Sequence, residues 1–278
     1  MIIPVHSTDR SESLARRIRK HCVQMCHDAG TSHIGSNLSC CDLIAVLYSS
    51  ILRYDPNQPQ MADRDRFIMS KGHAAAVIYA VLAETGFIPE EKLREFCQNG
   101  SPIAGHVHSH GVPGIEFSTG SLGHGLPVGC GIALAARADK SNHRVFVLMS
   151  DGECDEGTTW EAALFAAQHR LGGLTAIIDT NSWQSYGSTA DVLDLEPFAD
   201  KWKAFRWDVT EVNGHDHQAI QKVLSRPVDP NGPPRVVIAR TVKGKGIPHM
   251  EDQLVWHYRS PSDEDVRLAQ SILEDPNS

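Results

Sequence analysis

The sequence predicts an α/β fold, a doubly wound parallel sheet with helices on both faces, and three observations predict it. Short apolar runs at residues 145–149 and 174–178 alternate along the chain with longer segments of helical period. Those runs are apolar at consecutive positions, as strands buried on both faces are. Acidic and glycine residues follow the first run directly, and Asp179 and Asn181 follow the second, at the carboxyl edge where open parallel sheets bind ligands.

The elements follow in order. Leu14, Ile18, Cys22, Met25 and Cys26 recur at helical spacing, which predicts a helix over residues 11–29, stopped by Gly30. A loop at 31–36 precedes a second, mostly buried helix at 41–52. A polar, proline-bearing stretch leads to a short strand at 66–69, the turn Ser70-Lys71-Gly72-His73 and an alanine-rich helix at 74–84; Pro89 opens another helix to Phe96. Residues 99–125 have neither period and hold seven glycines and four histidines, the kind of long loop that carries function. A small-residue helix follows at 127–138, then strand 145–149, an acidic turn at 150–157, helix 158–171 and strand 174–178. The remainder reads as helix 196–205, strand 208–212, helix 217–224, strand 235–240 and an amphipathic helix at 263–274.

Composition narrows the function. With no internal repeat and no linker, all 278 residues read as one domain, 1–278. A net charge of −8 without runs of like charge speaks against nucleic acid as a partner. No 18-residue apolar span crosses a membrane, and the amino terminus becomes charged too early for a signal-peptide core. Seven cysteines without a CxxC pair read as reduced packing thiols of a cytoplasmic protein.

The unit spanning 145–183 carries the chemistry. Adjacent parallel strands bring Asp151 and Asn181 to one edge, and two oxygen ligands beside a helix start suit a Mg²⁺–diphosphate complex, with the Trp183 carbonyl as third ligand. His33, His73, His106, His124 and His257 all sit in loops beside glycine, serine or tryptophan rather than on apolar helix faces. His106, His108 and His110 alternate, so an extended segment would present all three to a transition metal. Thr241-Val242-Lys243-Gly244-Lys245-Gly246 offers a phosphate-binding turn, although the chain has neither a Walker A loop nor a GxGxxG fingerprint after a strand.

Together these motifs resemble the thiamin-diphosphate-binding, N-terminal half of transketolase, and most closely the short subunits of split transketolases. The resemblance runs from about Ser13 to Pro261. It is carried by Ser32-His33-Ile34-Gly35, Ser70-Lys71-Gly72-His73, Gly105-His106, the stretch 113–123, Asp151-Gly152-Glu153-Cys154-Asp155-Glu156-Gly157, Asp179-Thr180-Asn181, residues 241–246 and Trp256-His257. It implies the thiamin-diphosphate-binding (PP-type) fold, with thiamin diphosphate and Mg²⁺ (or Ca²⁺ or Mn²⁺) as cofactors. Asp151, Asn181 and the Trp183 carbonyl would bind the metal. His73, Gly120, Ser121, Leu122, Asp151, Gly152, Glu153, Glu156, Asn181 and His257 would bind the cofactor, and His33, His106 and His257 would act on substrate. Glu156 and Glu161 would match the acidic residues that link two cofactor sites across a dimer.

The glutamate that activates the cofactor in this family lies on a pyrimidine-binding domain. The resemblance therefore implies a separate C-terminal subunit, an α2β2 heterotetramer, and no activity for the chain alone. Several positions depart from the family pattern: Ser150, Thr180, His124, Val107-His108-Ser109-His110 and Tyr258. All but the first two could touch substrate or its path, which points to a specialised ketol donor or acceptor. The alternatives are an α-like subunit of a 2-oxo acid decarboxylase or dehydrogenase, and a non-catalytic partner subunit.

Overall fold

The computed structural model describes residues 8–274. Its sheet has five parallel strands, β1 (Arg66–Met69), β2 (Val145–Ser150), β3 (Leu174–Thr180), β4 (Asp208–Asn213) and β5 (Arg235–Arg240), in the order β1-β2-β3-β5-β4. Every residue of β2 and β3 is buried, as their unbroken apolar runs require. β4 is an edge strand and keeps polar residues in view of solvent; its Glu211 pairs with Arg240 across the strand boundary.

Alternate strand residues supply two separate cores. Phe67, Met69, Phe146, Leu148, Ile177 and Val237 face one side. There they meet α1 (Thr8–Asp28), α2 (Ile34–Ser39), α3 (Cys41–Val46), α4 (Ala75–Glu84), α9 (His217–Leu224) and α10 (Asp263–Glu274). Ile68, Val145, Val147, Leu174, Ile178 and Val236 face the other side, against α5 (Gly125–Ala138), α6 (Gly157–Gln168) and α8 (Phe198–Ala204). The short helix α7 (Thr189–Val192) lies outside both cores. In α1 the residues at helical spacing are the buried ones, Leu14, Ile18, Cys22, Met25 and Cys26, and they pack the helix against α3, α4 and α10.

Local differences from the sequence reading have physical causes. The expected loop at 31–36 already enters α2 at Ile34, because His33 takes the left-handed conformation (φ 72°) and its carbonyl accepts the Asn37 N–H and side-chain amide. The helix expected over 41–52 changes to π geometry at Leu47–Ile51. The segment after Pro89 is a 3-10 helix, Glu90–Glu95, with only Leu93 buried, too little apolar surface to hold a longer helix. All seven cysteines are free.

Candidate active site

Four strands end at one place. β1 runs into Ser70-Lys71-Gly72-His73, β2 into Asp151-Gly152, β3 into Asn181 and β5 into Thr241-Val242-Lys243. Between these turns lies a cavity of about 210 Å³, with Asn181, Trp183 and Gly152 on one wall and His33, His73, His106 and His257 also lining it. A cavity of about 250 Å³ opens beside Tyr48 and Tyr54, but none of its lining residues follows a strand. The strand-end cavity is therefore the candidate site.

The register of β2 on β3 pairs Ser150 with Asp179, so the two following turns meet. Asp151 joins them: its Oδ1 accepts the Gly152 N–H at 2.9 Å and its Oδ2 accepts the Ser182 N–H at 2.7 Å. Ser182 is left-handed (φ 68°), which reverses the chain there. Asn181 accepts the Trp183 N–H at 3.2 Å, and the Trp183 indole donates to Asp252 at 2.7 Å. Asp151 is 1% exposed and Asn181 4%. Burial, and then the Asp179 charge, push the Asp151 carboxyl up to about 6. A buried carboxylate with an amide oxygen beside it is a donor set that suits a hard divalent cation, whose charge would reverse that shift.

Beneath the cavity floor, Lys71 and Asp179 form a fully buried ion pair. Lys71 also donates to the Ser36 carbonyl at 2.9 Å; Asp179 accepts from the Ser39 hydroxyl at 2.6 Å and from the Thr241 hydroxyl. Burial works against the Asp179 charge, but Lys71 and these donors outweigh it and hold the carboxyl below its usual range. The pair thus ties α2 and the turns after β1, β3 and β5 to one point.

Imidazole makes up much of the rest of the lining. His33 lies 5.2 Å from His73, 6.0 Å from His106 and 4.9 Å from His257, ring centre to ring centre. The His33 N–H donates to the His257 carbonyl at 3.0 Å, which fixes the two loops together. Burial, with the charges of His106 and Lys243, lowers His33 to about 4. Burial, with Lys243 next, lowers His257 to about 3. Burial and Lys71 hold His73 well below the usual range. These rings are neutral at pH 7, each with one N–H donor and one lone pair. The fully buried Lys243 brings its ammonium within 3.1 Å of His257 Nδ1, which must accept; burial, then Lys71, lower Lys243 to about 8.

The long loop reaches the site by close backbone contact. The Thr119 hydroxyl donates to the Met69 carbonyl at 2.6 Å, and a Cβ on Gly72 would stand 2.5 Å from the Thr119 carbonyl carbon. Gly120 and Leu122 then line the cavity and Ser121 is exposed outside it. Glu153 is fully buried and turned away from the cavity; it accepts from the Ser70 hydroxyl, the Gly123 N–H at 2.9 Å and the Ser150 N–H at 3.3 Å. It braces three turns. Glu156 and Glu161 are exposed on the α6 side, outside the cavity lining.

The alternating histidines do not gather into a metal site. His106 turns into the cavity, while His108 and His110 pair with each other at 5.5 Å, and no cluster of three His, Cys, Asp or Glu that could hold a metal occurs among the described residues. His124 is exposed, its Nδ1 3.0 Å from the Leu122 carbonyl. Tyr258 packs on His257 and its hydroxyl donates to the Ser185 carbonyl near the cavity mouth. Sequence reasoning singled out the 241–246 turn without choosing its lysine. Lys243 reaches the site through its contact with His257, while Lys245 pairs with Glu251 at 3.2 Å. The core role of Lys71 and Asp179 had no signal beyond their place in the motifs.

One wall can therefore hold a cation and a diphosphate, and the other can exchange protons and hydrogen bonds with a polyhydroxylated molecule. A family model described as "Transketolase, thiamine diphosphate binding domain" matches residues 10–276. An apulose-4-phosphate transketolase subunit from Actinobacillus succinogenes is 41% identical over 270 residues, covering 97% of this chain and 98% of that protein. The 6-deoxy-6-sulfo-D-fructose transketolase subunit SqwG of a Clostridium species is 36% identical, covering 94% of each. The crystal structure of transketolase from Campylobacter jejuni superposes with a TM-score of 0.90 at 29% identity, over 98% of this chain and 44% of that one.

Proposed function

The chain belongs to the transketolase thiamine diphosphate-binding family, and on that premise we propose that it is the diphosphate- and Mg²⁺-binding subunit of a two-subunit transketolase. The reaction moves a two-carbon ketol unit from a ketose phosphate to an aldose. One observation carries the reading: Asn181, with the buried Asp151 carboxylate bonded to the turns beside it, and a group of neutral histidines are gathered around a single strand-end cavity.

Asp151, Asn181 and the Trp183 carbonyl would hold the metal ion. Gly152, Gly120 and Leu122 would give backbone access to the cofactor, with His73, His257 and Lys243 on its diphosphate side. Thiamin diphosphate, when bound, supplies a nucleophilic carbon and an electron sink for breaking the bond beside a ketone. His33 and His257, held neutral, take the proton of the donor hydroxyl, and His106 at the mouth donates to the carbonyl oxygen. Glu153 serves the cofactor indirectly, by holding the Gly123 turn. The exposed Tyr258 and Tyr186 would border the path of the acceptor.

The end-to-end match to proteins named as single subunits of a transketolase supports a separate partner carrying the pyrimidine-binding domain, in an α2β2 assembly. Leu164 and Phe165, exposed on α6, are apolar surface that such an assembly would cover. The relatives' names favour a branched ketose phosphate or a sulfonated ketose over ordinary pentose phosphates as donor. Among the described residues no helix is long and apolar enough to cross a membrane, and a cytoplasmic site of action fits this chemistry.

The test is ketol transfer by the chain assembled with its partner, thiamin diphosphate and Mg²⁺, across a panel that includes apulose 4-phosphate, 6-deoxy-6-sulfo-D-fructose, xylulose 5-phosphate and pyruvate. Transfer from a ketose, lost in Asp151→Asn, is expected. Turnover by the chain alone would overturn the two-subunit reading. Consumption of pyruvate in place of any ketose would overturn the transketolase reading.

A further inference from the structure

Behind the Lys243 turn, on the face away from the cavity, lies a buried charged cluster that the proposed chemistry does not use. Asp42 of α3 is 5% exposed and Arg19 of α1 is 6% exposed. The Arg19 guanidinium donates to both Asp42 oxygens, at 2.9 and 2.6 Å. His217 Nε2 approaches Asp42 Oδ1 at 3.1 Å and His215 Nδ1 approaches Oδ2 at 2.7 Å, so the carboxylate has four contacts from three residues. Burial works against the Asp42 charge, but Arg19 and the two histidines outweigh it and hold the carboxyl well below its usual range.

Two of these partners reach on to the site. His215 Nε2 accepts the Val242 N–H at 2.8 Å. That bond needs a lone pair on Nε2, so the ring proton sits on Nδ1 and points at Asp42. Arg19 Nε donates to the Lys245 carbonyl at 2.9 Å, and a Cβ on Gly246 would stand 2.8 Å from Arg19 Cδ. One carboxylate therefore fixes the residues at positions −1 and +2 from Lys243. On the cavity side the same turn is held by the Gly244 N–H on the Gly35 carbonyl at 3.0 Å, and a Cβ on Gly35 would stand 2.9 Å from Lys243 Cγ. The Lys243 stem is clamped between the two.

We propose that Asp42 is a positioning residue for Lys243, acting through His215 and Arg19 from outside the active site. The proposal rests on reading Lys243 as a group that faces the cofactor diphosphate. It makes a class of distant substitutions, on α1, α3 and the segment before α9, into changes of cofactor affinity rather than of chemistry. His215 decides it, because its Nε2 is the acceptor of the Val242 N–H, and Gln can replace that acceptor where Phe cannot.

The experiment uses the full chain and measures competitive acylation of Lys243 by acetic anhydride and hydrogen exchange over 241–246, both by mass spectrometry, with the thermal midpoint as control. His215→Phe should raise Lys243 acylation roughly tenfold, the effect expected of one lost hydrogen bond to a buried amide. His215→Gln should stay near wild type. Unchanged acylation in His215→Phe would overturn the proposal, as would equal increases in both variants. If His215→Phe fails to fold, wild-type exchange decides: a Val242 amide that exchanges as fast as an open loop overturns it, and a protected one supports it. In the two-subunit assembly, His215→Phe should weaken Mg²⁺-dependent thiamin diphosphate binding with kcat little changed at saturation. A wild-type assembly with no such binding would overturn the functional reading, while the acylation result would still stand for or against Asp42.

Discussion

Lys71→Met tests the buried floor of the site. The substitution keeps most of the side-chain length and removes the only cation bonded to Asp179 among the described residues, in a place where both partners are fully buried. Asp179 would keep the hydroxyls of Ser39 and Thr241 and the Asn181 amide, at 3.4 Å, with only the more distant charge of Lys243 left to oppose it. Removing one partner of a buried, hydrogen-bonded pair costs about 3–5 kcal/mol, because the remaining charge stays desolvated. Burial raises the Asp179 carboxyl once Lys71, the main group lowering it, is gone, so proton uptake is the alternative route and the loss should shrink as the pH falls. At 2–4 °C per kcal/mol, typical of a chain near this size, the thermal midpoint should fall by roughly 6–20 °C. Urea denaturation at pH 7 without metal or cofactor should show a lower midpoint at unchanged slope. Adding Asp179→Asn should restore much of the loss, since an amide costs far less to bury than an unpaired carboxylate. A single variant that loses under about 1 kcal/mol, or a double variant no better than the single, would refute the reasoning.

Further outcomes follow from the site. His33, His73 and His257 bind protons less readily folded than unfolded, so unfolding takes up protons below about pH 6.5; their contribution is complete above that pH and is lost as it falls toward 4, with a slope of about 1.4 kcal/mol per pH unit for each ring. Asp151, raised to about 6, opposes this below pH 6, as do the raised Glu153 and Asp155 carboxyls, while His143 is lowered together with the three rings; the histidines' loss begins first as the pH falls, so urea midpoints of the cofactor-free chain should decline from pH 6.5 to 5, and a flat or rising profile would contradict neutral histidines. Gly72→Ala should push residues 119–120 off the turn after β1 and weaken thiamin diphosphate binding more than it lowers the melting midpoint, as seen by calorimetry with Mg²⁺; unaltered affinity would show that the close approach is dispensable. Asp151→Asn should keep the hydrogen bond to Ser182 and still cost at least about tenfold in Mg²⁺ affinity, measured by metal titration of cofactor binding, because the amide brings no charge.

Much of this was legible in the chain because parallel strands place their ends by rule. Once 145–149 and 174–178 are strands, Asp151 and Asn181 must meet, and they do. The loop histidines were individually weak signals, and they became informative only as a set expected at the same edge. What could not be read was direction. Glu153 and Glu156 stand in one acidic turn, yet one is buried beneath it and the other exposed, a difference set by the 3-10 segment Gly152–Asp155. Alternation suggested a shared face for His106, His108 and His110, but the Tyr79 hydroxyl, which accepts the His108 N–H at 3.1 Å, holds the loop in irregular form. The Asp42 cluster lay beyond any local pattern, since its members are drawn from positions 19, 42, 215 and 217.

The division between floor and mouth bears on how such a protein diversifies. Lys71, Asp179, Ser39 and Thr241 are locked to one another, so a change in any of them is felt at the ends of β1, β3 and β5. His106 and Tyr258 stand at or near the opening with solvent on one side. Selection can exchange those outer side chains one at a time without passing through an unfolded ancestor. A lineage can in this way inherit the anchor unaltered and try out new sugars at its rim.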